Sequence, residues 1–343
     1  MKLEIERSTL RLASPLATAY GTIAQRELLL VRLIDDDGVE AWGEAAPLPA
    51  YDGPDVETVL GALERYREVI ARSGDSNGAQ ILDSCRRVAD VPEALAAIDL
   101  ALWDRAGRRA EKPVAELLSD DPSATVPVNA TLTAIDRVGA SEQAAQAARE
   151  GFTCLKVKVG TADDAARVAA VRAAVGPEVD LRLDANGAWS VNEAVHTIEM
   201  LAPAGLELVE EPTHGIEAIR EVREQVPVRV AIDETARTPG ALGAGVADAV
   251  CLKISRCGGI AGLVAAATLV RASGAEPYVA STLDGPLGVA GALHAAAALA
   301  SRGPVPPCGL ATLRLFAGLA DPLPAREGAI ALPLAPGLGV EPA

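Results

Sequence analysis

The sequence has little of several features that would assign it to whole classes of protein. Aromatic residues make up only 3% of its 343 residues, and it has 3 histidines. Its five cysteines lack the CxxC spacing of zinc sites and redox motifs, so we expect reduced thiols, most of them in the core. No apolar run is long enough to span a membrane. The charged N-terminus has no secretory apolar core, and we therefore expect a soluble, cytoplasmic protein.

Basic charge is also scarce. The chain has 31 Lys+Arg against 47 Asp+Glu, which gives a formal net charge of −16. Such a surface repels phosphate backbones and anionic lipids, so binding to nucleic acid or to a membrane is not expected. Half of the residues are hydrophobic, and a chain of this length can bury the core of one large domain and a smaller companion.

The first part of the chain has the pattern of an antiparallel sheet followed by helices. Three strands are predicted, at 2–12, 27–34 and 39–43, and an Asp-Gly turn at Asp37 joins the last two. Helices are predicted over 55–72, with Asp55 as the N-cap, and over 92–110. This arrangement is typical of an α+β domain.

From Val126 onwards the pattern changes to repeating strand–helix units. We predict a first strand at 126–131, a seventh at 277–282 and a short eighth at 307–312. The predicted helices of this part are 140–150, 162–175, 190–202, 215–225, 238–246 and 288–300. The tail at 328–333 is predicted to return to the N-terminal sheet.

Charged residues recur at the ends of the short apolar runs that form the second to sixth predicted strands. From Lys158 the steps are 26 residues to Asp184, 26 to Glu210, 23 to Asp233 and 20 to Lys253. Each step is about one strand plus one helix with short connections. Because the carboxyl ends of successive parallel strands meet at one mouth, where barrel enzymes keep their chemistry, we expect these side chains to converge.

The three carboxylates predict a metal site. Neighbouring strands lie about 4.8 Å apart, and three acidic groups held that close repel each other unless a cation lies between them. The donors are all hard oxygens, which favours Mg²⁺, with Mn²⁺ as a substitute. Adjacent residues on a strand point to opposite faces, so only one of Glu210 and Glu211, and one of Asp233 and Glu234, can be a ligand. Strand geometry alone does not decide which.

The lysines predict an acid–base role. Lys156 and Lys158 are two residues apart and so point to one face, and Lys253 lies four strands further round, opposite Lys158. A buried lysine needs anionic partners or loses its proton. A second cation and a nearby metal are expected to lower the pKa of such a lysine from about 10.4 towards 7–8, which suits a base. Two opposed lysines beside Mg²⁺ are suited to removing a proton α to a carboxylate.

These motifs together resemble the enolase superfamily, in its muconate-lactonizing-enzyme subgroup, over essentially the whole chain. The motifs on which the resemblance rests are Lys156-x-Lys158, Asp184-Ala-Asn186, Glu210-Glu-Pro212, Asp233-Glu234, and Lys253 followed by Gly258-Gly259. The resemblance implies an α/β fold, a (β/α)7β TIM-like barrel with an N-terminal α+β capping domain. The domains would be 1–120 for the cap, 121–318 for the barrel and 319–343 for a tail returning to the cap.

The resemblance also implies roles for particular residues. The metal ligands would be Asp184, Glu210 and Asp233, which selects one member of each open pair. Lys158 would be the base on one face, with Lys156 as its helper and Lys253 on the other face. Further substrate-binding or supporting residues would be Asn186, Arg256, Tyr20, Tyr51, Ser281 and Thr282. The partner would be a small-molecule carboxylate, and the sequence leaves open whether the enzyme is a homo-oligomer.

Within the subgroup, the segments 126–131 and 308–312 most resemble o-succinylbenzoate synthases, which dehydrate a cyclohexadiene carboxylate in menaquinone biosynthesis. Arg256, three residues after Lys253, instead resembles the N-acylamino-acid racemases. Dipeptide epimerases carry Asp-x-Asp on the eighth strand to hold an ammonium group, and the segment 308–312 has no such pair. We therefore expect the synthase, with the racemase, an epimerase or a muconate cycloisomerase as alternatives.

Overall fold

The structure is a computed structural model, and it describes residues 1–18, 21–49, 51, 53–161 and 163–343. The chain begins with three antiparallel strands in the order β1-β2-β3. These strands are β1 (Lys2–Thr18), β2 (Gly21–Ile34) and β3 (Glu40–Ala45). The predicted Asp-Gly turn is confirmed, since Gly38 has a φ of +83° and donates its backbone N–H to the Asp35 carbonyl at 3.0 Å. A residue with a Cβ rarely adopts this conformation, which explains glycine there.

Four helices follow this sheet: α1 (Val56–Ala71), α2 (Gly78–Val88), α3 (Pro92–Ala110) and α4 (Val114–Leu118). The predicted α1 and α3 are confirmed, and Asp55 caps α1 by accepting a hydrogen bond from the Thr58 N–H at 2.7 Å. Helices α2 and α4 were not predicted from the sequence. Asn77 and Gln80 form a capping box at the start of α2, and their spacing was a signal for that helix.

The second part of the chain has a seven-stranded parallel sheet whose strands follow one another in chain order, from β5 to β11. A short β4 (Thr125–Pro127) precedes it. The seven strands are β5 (Ala130–Leu132), β6 (Cys154–Lys158), β7 (Asp180–Asp184), β8 (Leu206–Glu210), β9 (Arg229–Ile232), β10 (Ala249–Lys253) and β11 (Glu276–Ala280).

The helices of this part are α5 (Arg137–Arg149), α6 (Asp164–Val175), α7 (Val191–Leu201), α8 (Ile216–Gln225), α9 (Ile260–Ala272) and α10 (Pro286–Ala300). They alternate with the strands as the sequence period predicts, except between β9 and β10, where two 3-10 turns lie. Within the described part of the chain, no helix is both long and apolar enough to cross a bilayer.

Several predicted elements differ from the structure. The first strand is divided, because β4 pairs with the tail strand β13 (Ala329–Ala331) of a separate small sheet completed by β12 (Ala325–Arg326). The tail strand therefore does not pair with the N-terminal sheet. The helix predicted at 238–246 is wrong: two 3-10 turns, Glu234–Arg237 and Ala241–Gly243, occupy that region. The long α9 was missed.

The segment around Cys308 contacts the residues just before β5 and the last residue of β11, and β5 and β11 are the two edge strands of the parallel sheet. Cys308 forms an isolated parallel bridge with Val128, and Gly309 forms one with Ala280. Backbone hydrogen bonds accompany the bridges, with Asn129 N–H donating to Cys308 O at 3.0 Å and Ser281 N–H donating to Gly309 O at 3.0 Å. The predicted eighth strand is thus represented by two bridges rather than by a regular strand.

A carboxylate from the N-terminal part caps a helix of the second part. Asp99, on α3, accepts hydrogen bonds from the backbone N–H groups of Ile260 and Ala261 at the start of α9. Gly259 makes this approach possible, since a Cβ there would lie 2.3 Å from the Asp99 Oδ2 and its φ is +108°. The glycine pair that follows Lys253 therefore has a structural reason, which is close packing between the two parts of the chain.

The Asp99 contact predicts a pH-dependent stability. Burial raises the pKa of Asp99 to about 7, while the two backbone donors act to lower it. The folded protein then holds a proton that an unfolded aspartate, with its pKa near 3.9, releases. Stability from this group is therefore present at acidic pH and is lost as the pH rises from about 4 to about 7.

We expect Asp99→Asn, which keeps an acceptor oxygen but does not titrate, to lack this dependence. Between pH 4 and pH 8 the wild-type protein should lose roughly 2–4 kcal/mol relative to the variant, at about 1.4 kcal/mol per pKa unit. Urea unfolding of both proteins across this range measures the difference. Parallel pH profiles for the two proteins would contradict the prediction.

Candidate active site

Strand register brings the predicted charged residues to one edge of the sheet. Lys158 is paired with Asp184, and Asp184 with Glu210, so the last residues of three adjacent strands lie side by side. Lys253 ends β10, and Asp233 follows β9 directly. All five side chains line one cavity. The convergence expected from the sequence spacing is therefore present in the structure.

In each ambiguous pair, one member lines the cavity and the other does not. Glu210 lines the cavity, whereas Glu211 accepts backbone hydrogen bonds from Asp233 N–H at 2.8 Å and Thr235 N–H at 3.0 Å. Glu211 thus holds the turn that follows β9. Glu234 accepts from the Asn186 side-chain amide at 3.0 Å, and burial, together with the nearby Asp233 charge, raises the pKa of Glu234 to about 8.

Lys156 lies between two of the carboxylates. Its Nζ is 2.8 Å from Asp184 Oδ2 and 2.7 Å from Glu210 Oε2. Burial acts to lower the pKa of Lys156, but these two carboxylates outweigh it and hold that pKa well above its ordinary value. Burial likewise acts against ionisation of Asp184, and the two lysines beside it lower the pKa of Asp184 to about 2. The two carboxylates therefore favour the ammonium form of Lys156.

Lys158 is also paired. Its Nζ donates to Asp184 Oδ2 at 2.6 Å and to Asn186 Oδ1 at 2.8 Å, and it lies 5.6 Å from the centroid of the Tyr51 ring. Burial is the largest single influence and acts to lower the pKa of Lys158, but Asp184, Tyr51 and Glu210 together outweigh it and the net shift is upward. The lowered pKa expected from the sequence presupposes a divalent metal among these carboxylates, and it stays a prediction.

The other side of the cavity is built around Asp233. Its Oδ2 accepts from Lys253 Nζ and its Oδ1 lies 2.6 Å from Arg256 Nη1. Despite burial, these two cations hold the pKa of Asp233 far below its usual range. Lys253 Nζ lies 5.7 Å from the Tyr51 ring centroid. Lys158 Nζ lies 5.6 Å from the same centroid, so both lysines approach one aromatic side chain. The opposed placement of the two lysines about a substrate stays a prediction.

The carboxylate cluster fits a hard divalent cation. Glu210 and Asp233 offer oxygens that lie within 4.8 Å of one another, with Cys251 Sγ in the same group. Asp184 adjoins this group, because Lys156 contacts its Oδ2 and the Glu210 carboxylate together. Burial raises the pKa of the Cys251 thiol well above its ordinary value. The thiol therefore stays protonated and is a poor donor for Mg²⁺, which prefers oxygen.

Neutral polar side chains form the wall of the cavity near β11 and the segment around Gly309. Ser281 and Thr282 line it, with Thr312 Oγ1 donating to Ser281 Oγ at 3.1 Å and Thr282 Oγ1 donating to the buried Asp284 at 2.7 Å. Tyr51 lines the cavity as expected. Tyr20 lies outside the described residues.

Three cavity or neighbouring residues were missed by the sequence analysis. Arg182 and Tyr278 lie in the floor of the cavity, beneath the carboxylates. Arg26 is buried and donates to the backbone carbonyls of Ala46, Pro47 and Leu283. For Arg182 a signal existed, since it lies two residues before Asp184 and so points to the same face of β7. Arg26 had no comparable signal, because its acceptors are backbone atoms of distant segments.

Comparison with known proteins gives matches over both parts of the chain. Residues 2–119 match the model described as "Mandelate racemase / muconate lactonizing enzyme, N-terminal domain". Residues 139–343 match the model described as "Enolase C-terminal domain-like".

Individual relatives catalyse different reactions. The chain is 30% identical over 318 residues to the L-Ala-D/L-Glu epimerase of Bacillus subtilis, covering 87% of this chain and 84% of the relative. It is 34% identical over 315 residues to the o-succinylbenzoate synthase of Thermobifida fusca, covering 89% and 80%. A solved dipeptide epimerase from Enterococcus faecalis, complexed with Mg and the dipeptide L-Leu-L-Tyr, matches with a TM-score of 0.89, 28% identity and 98% coverage of both chains.

The position of Lys156 predicts a stability effect that is independent of catalysis. Lys156→Met would leave Asp184 and Glu210 buried without their shared cation, and removing one partner of a buried ion pair costs about 3–5 kcal/mol. We expect a loss of that order in the free energy of unfolding, measured by urea titration in EDTA. The matched control is Lys2→Met, because Lys2 is exposed at the surface and its loss should change little. Equal stabilities for the two variants would contradict the prediction.

Proposed function

Since the chain belongs to the muconate-lactonizing-enzyme subgroup of the enolase superfamily, we propose that it removes a proton from the carbon next to a substrate carboxylate. The observation that carries this proposal is the pair of lysines, Lys158 and Lys253, on either side of one buried carboxylate cluster. Each lysine is within reach of the same space, and a buried lysine beside a cationic centre is a suitable base.

The ligands of the metal would be Asp184, Glu210 and Asp233. When bound, Mg²⁺ supplies positive charge that neutralises the substrate carboxylate as its α-proton leaves. The support for these residues is their burial and hard oxygen donors, together with the Mg that accompanies the related epimerase. Lys156 would hold Asp184 and Glu210 in place through its contacts of 2.7–2.8 Å.

Lys158 would take the α-proton. It becomes a base once its ammonium group has given up a proton, which requires that Asp184 no longer compensate its charge. Asn186, which accepts from Lys158 at 2.8 Å, would keep the lysine aimed at the substrate. Lys253 would present its ammonium group on the opposite face, and Tyr51 would close the cavity between the two lysines.

For the substrate, we propose the cyclohexadiene carboxylate of an o-succinylbenzoate synthase. In that reaction Lys158 takes the α-proton, hydroxide leaves, and Lys253 stabilises the negative charge that develops. Among the described residues that line the cavity, the carboxylates are Asp184, Glu210 and Asp233, and each is paired with a lysine or arginine. A dipeptide ammonium group would find a neutral wall of hydroxyl groups near Ser281, and an unpaired buried charge costs several kcal/mol.

N-acylamino-acid racemisation is the second candidate, because a specific observation favours it. Both lysines approach one ring, at 5.6 and 5.7 Å, and in this candidate reaction each would transfer a proton at one face of the substrate. An acylated nitrogen carries no charge and therefore needs no carboxylate partner. Arg256, at 2.6 Å from Asp233, would support the Lys253 side of such a site.

The segment 307–309 bears on whether the parallel sheet forms a closed barrel. We propose that the segment 307–309 closes the parallel sheet into the (β/α)7β form. Its isolated bridges to Val128 and Ala280, on the two sides of the gap, support this closure. Closure would bring Thr312 and Ser281 to the cavity wall, where their hydroxyl groups contact each other at 3.1 Å.

The division of labour between the lysines is testable in D₂O. For a dehydration, we expect Lys158→Ala to abolish exchange of the substrate α-proton and to lower kcat by about 10²–10⁴, the usual contribution of a general base. Lys253→Ala should retain measurable exchange, because that lysine stabilises charge only. ¹H NMR of the recovered substrate gives the result. Near-wild-type turnover by Lys158→Ala would refute the role of Lys158. Loss of exchange for one enantiomer in Lys158→Ala and for the other enantiomer in Lys253→Ala would favour the racemase.

The substrate class is tested with a panel of three compounds. Purified protein with Mg²⁺ is assayed with the cyclohexadiene carboxylate, with N-succinyl amino acids and with an Ala-Glu dipeptide. We expect the highest kcat/KM for the cyclohexadiene carboxylate, because it brings no ammonium group to the neutral wall. Turnover of the dipeptide alone would reject the proposed substrate while leaving the proton-abstraction chemistry intact.

A further inference from the structure

The floor of the cavity has a tyrosine in contact with one of the cavity carboxylates. Tyr278, in β11, is 2% exposed, and its hydroxyl group donates to Glu210 Oε2 at 2.8 Å. Both oxygens of Glu210 also accept from Lys156, at 2.8 Å for Oε1 and 2.7 Å for Oε2. The carboxylate is fully buried, and it is held from two directions.

We propose that Tyr278 is a positioning residue for the metal site, where its hydroxyl group orients the Glu210 carboxylate. The inference rests on the proposed function, in which Glu210 is a ligand. Lys156 alone does not define the orientation of Glu210, since the same ammonium group is shared with Asp184 at 2.8 Å. A donor that contacts only Glu210 fixes that ligand independently. Hydrogen-bond partners of metal ligands typically contribute 10–100-fold to metal affinity.

Tyr278 is itself held by residues from other strands. The guanidinium carbon of Arg182 lies 5.0 Å from the centroid of the tyrosine ring. Arg182 donates to the Glu207 carboxylate at 2.6 and 3.0 Å and to the Pro307 carbonyl at 2.6 Å. The hydroxyl group of Tyr278 is thereby placed by rigid elements, since β7, β8 and the segment around Pro307 all contribute. A ligand supported in this way needs little rearrangement to bind a cation.

A purely structural role for Tyr278 makes a different prediction. If the ring only fills the floor of the barrel, its hydroxyl group adds nothing to metal binding. Tyr278→Phe keeps the ring and its contact with Arg182 and removes only the donor to Glu210. The variant therefore separates the two roles, and its readout is metal affinity, which packing of the ring alone would not change.

The experiment is a calorimetric titration of Mg²⁺ into metal-free protein, without substrate. We expect Tyr278→Phe to raise the Kd for Mg²⁺ by about 10-fold. Tyr66→Phe is the matched control, because Tyr66 is another buried tyrosine whose hydroxyl group donates to a single described acceptor, the Ala89 carbonyl. The control should bind Mg²⁺ as the wild type does. An unchanged Kd in Tyr278→Phe would overturn the proposal.

Two further measurements distinguish failure of the Tyr278 role from failure of the proposed metal site. Glu210→Gln should bind Mg²⁺ much more weakly than the wild type; if it binds equally well, Glu210 is not a ligand and the metal site of the proposed function fails. The Mg²⁺-induced rise in Tm reports affinity even in a destabilised variant, because a ligand that binds only the folded state stabilises it. A smaller rise in Tyr278→Phe than in Tyr66→Phe at the same Mg²⁺ concentration supports the role of Tyr278, and an equal rise overturns it.

Discussion

The repulsion among three buried carboxylates is the constraint on which this site depends. Asp184, Glu210 and Asp233 are each no more than 1% exposed and lie at one edge of a parallel sheet. Charges in such a place must be compensated, and here ammonium and guanidinium groups do so. Lys156, Lys158, Lys253 and Arg256 each contact at least one of the three. Two of these groups, Lys158 and Lys253, are also the ones proposed to act on the substrate.

This compensation has a consequence for catalysis. A lysine paired with a carboxylate at 2.6 Å keeps its proton, and the pKa of Lys158 is raised accordingly. A base needs the opposite shift. In the proposed function, Asp184 would bind the metal, and its negative charge would then stabilise the ammonium form of Lys158 less. With a metal bound, the protonation state of Lys158 would then depend on what occupies the site, a general property of metal centres.

The N-terminal part of the chain is coupled to the sheet by buried polar contacts. Asp99 caps α9, Glu44 accepts from the Gly285 N–H at 2.6 Å beside α10, and Arg26 joins the loop at 46–47 to Leu283. Burial raises the pKa of Glu44 to about 8, and the neighbouring Asp284 acts in the same direction. These contacts hold Leu48 and Tyr51 over the cavity. The substrate would therefore be enclosed by both parts of the chain, while only one supplies the charged residues.

Much of this arrangement could be predicted from the sequence, because it depends on local periodicity. The steps between Lys158, Asp184, Glu210 and Asp233 reflect the length of a strand–helix unit, and the carboxyl ends of parallel strands must meet. Strand alternation likewise required that one of Glu210 and Glu211 face away. Tertiary structure decided what depends on distant contacts: the pairing of β4 with the tail, the cap that Asp99 provides for α9, and the Tyr278 contact with Glu210. Their partners lie far apart in the chain, so no local pattern specifies them. The direction of the Lys158 pKa shift was also decided by tertiary structure, because it depends on which charges the folded chain places within hydrogen-bonding distance of the lysine.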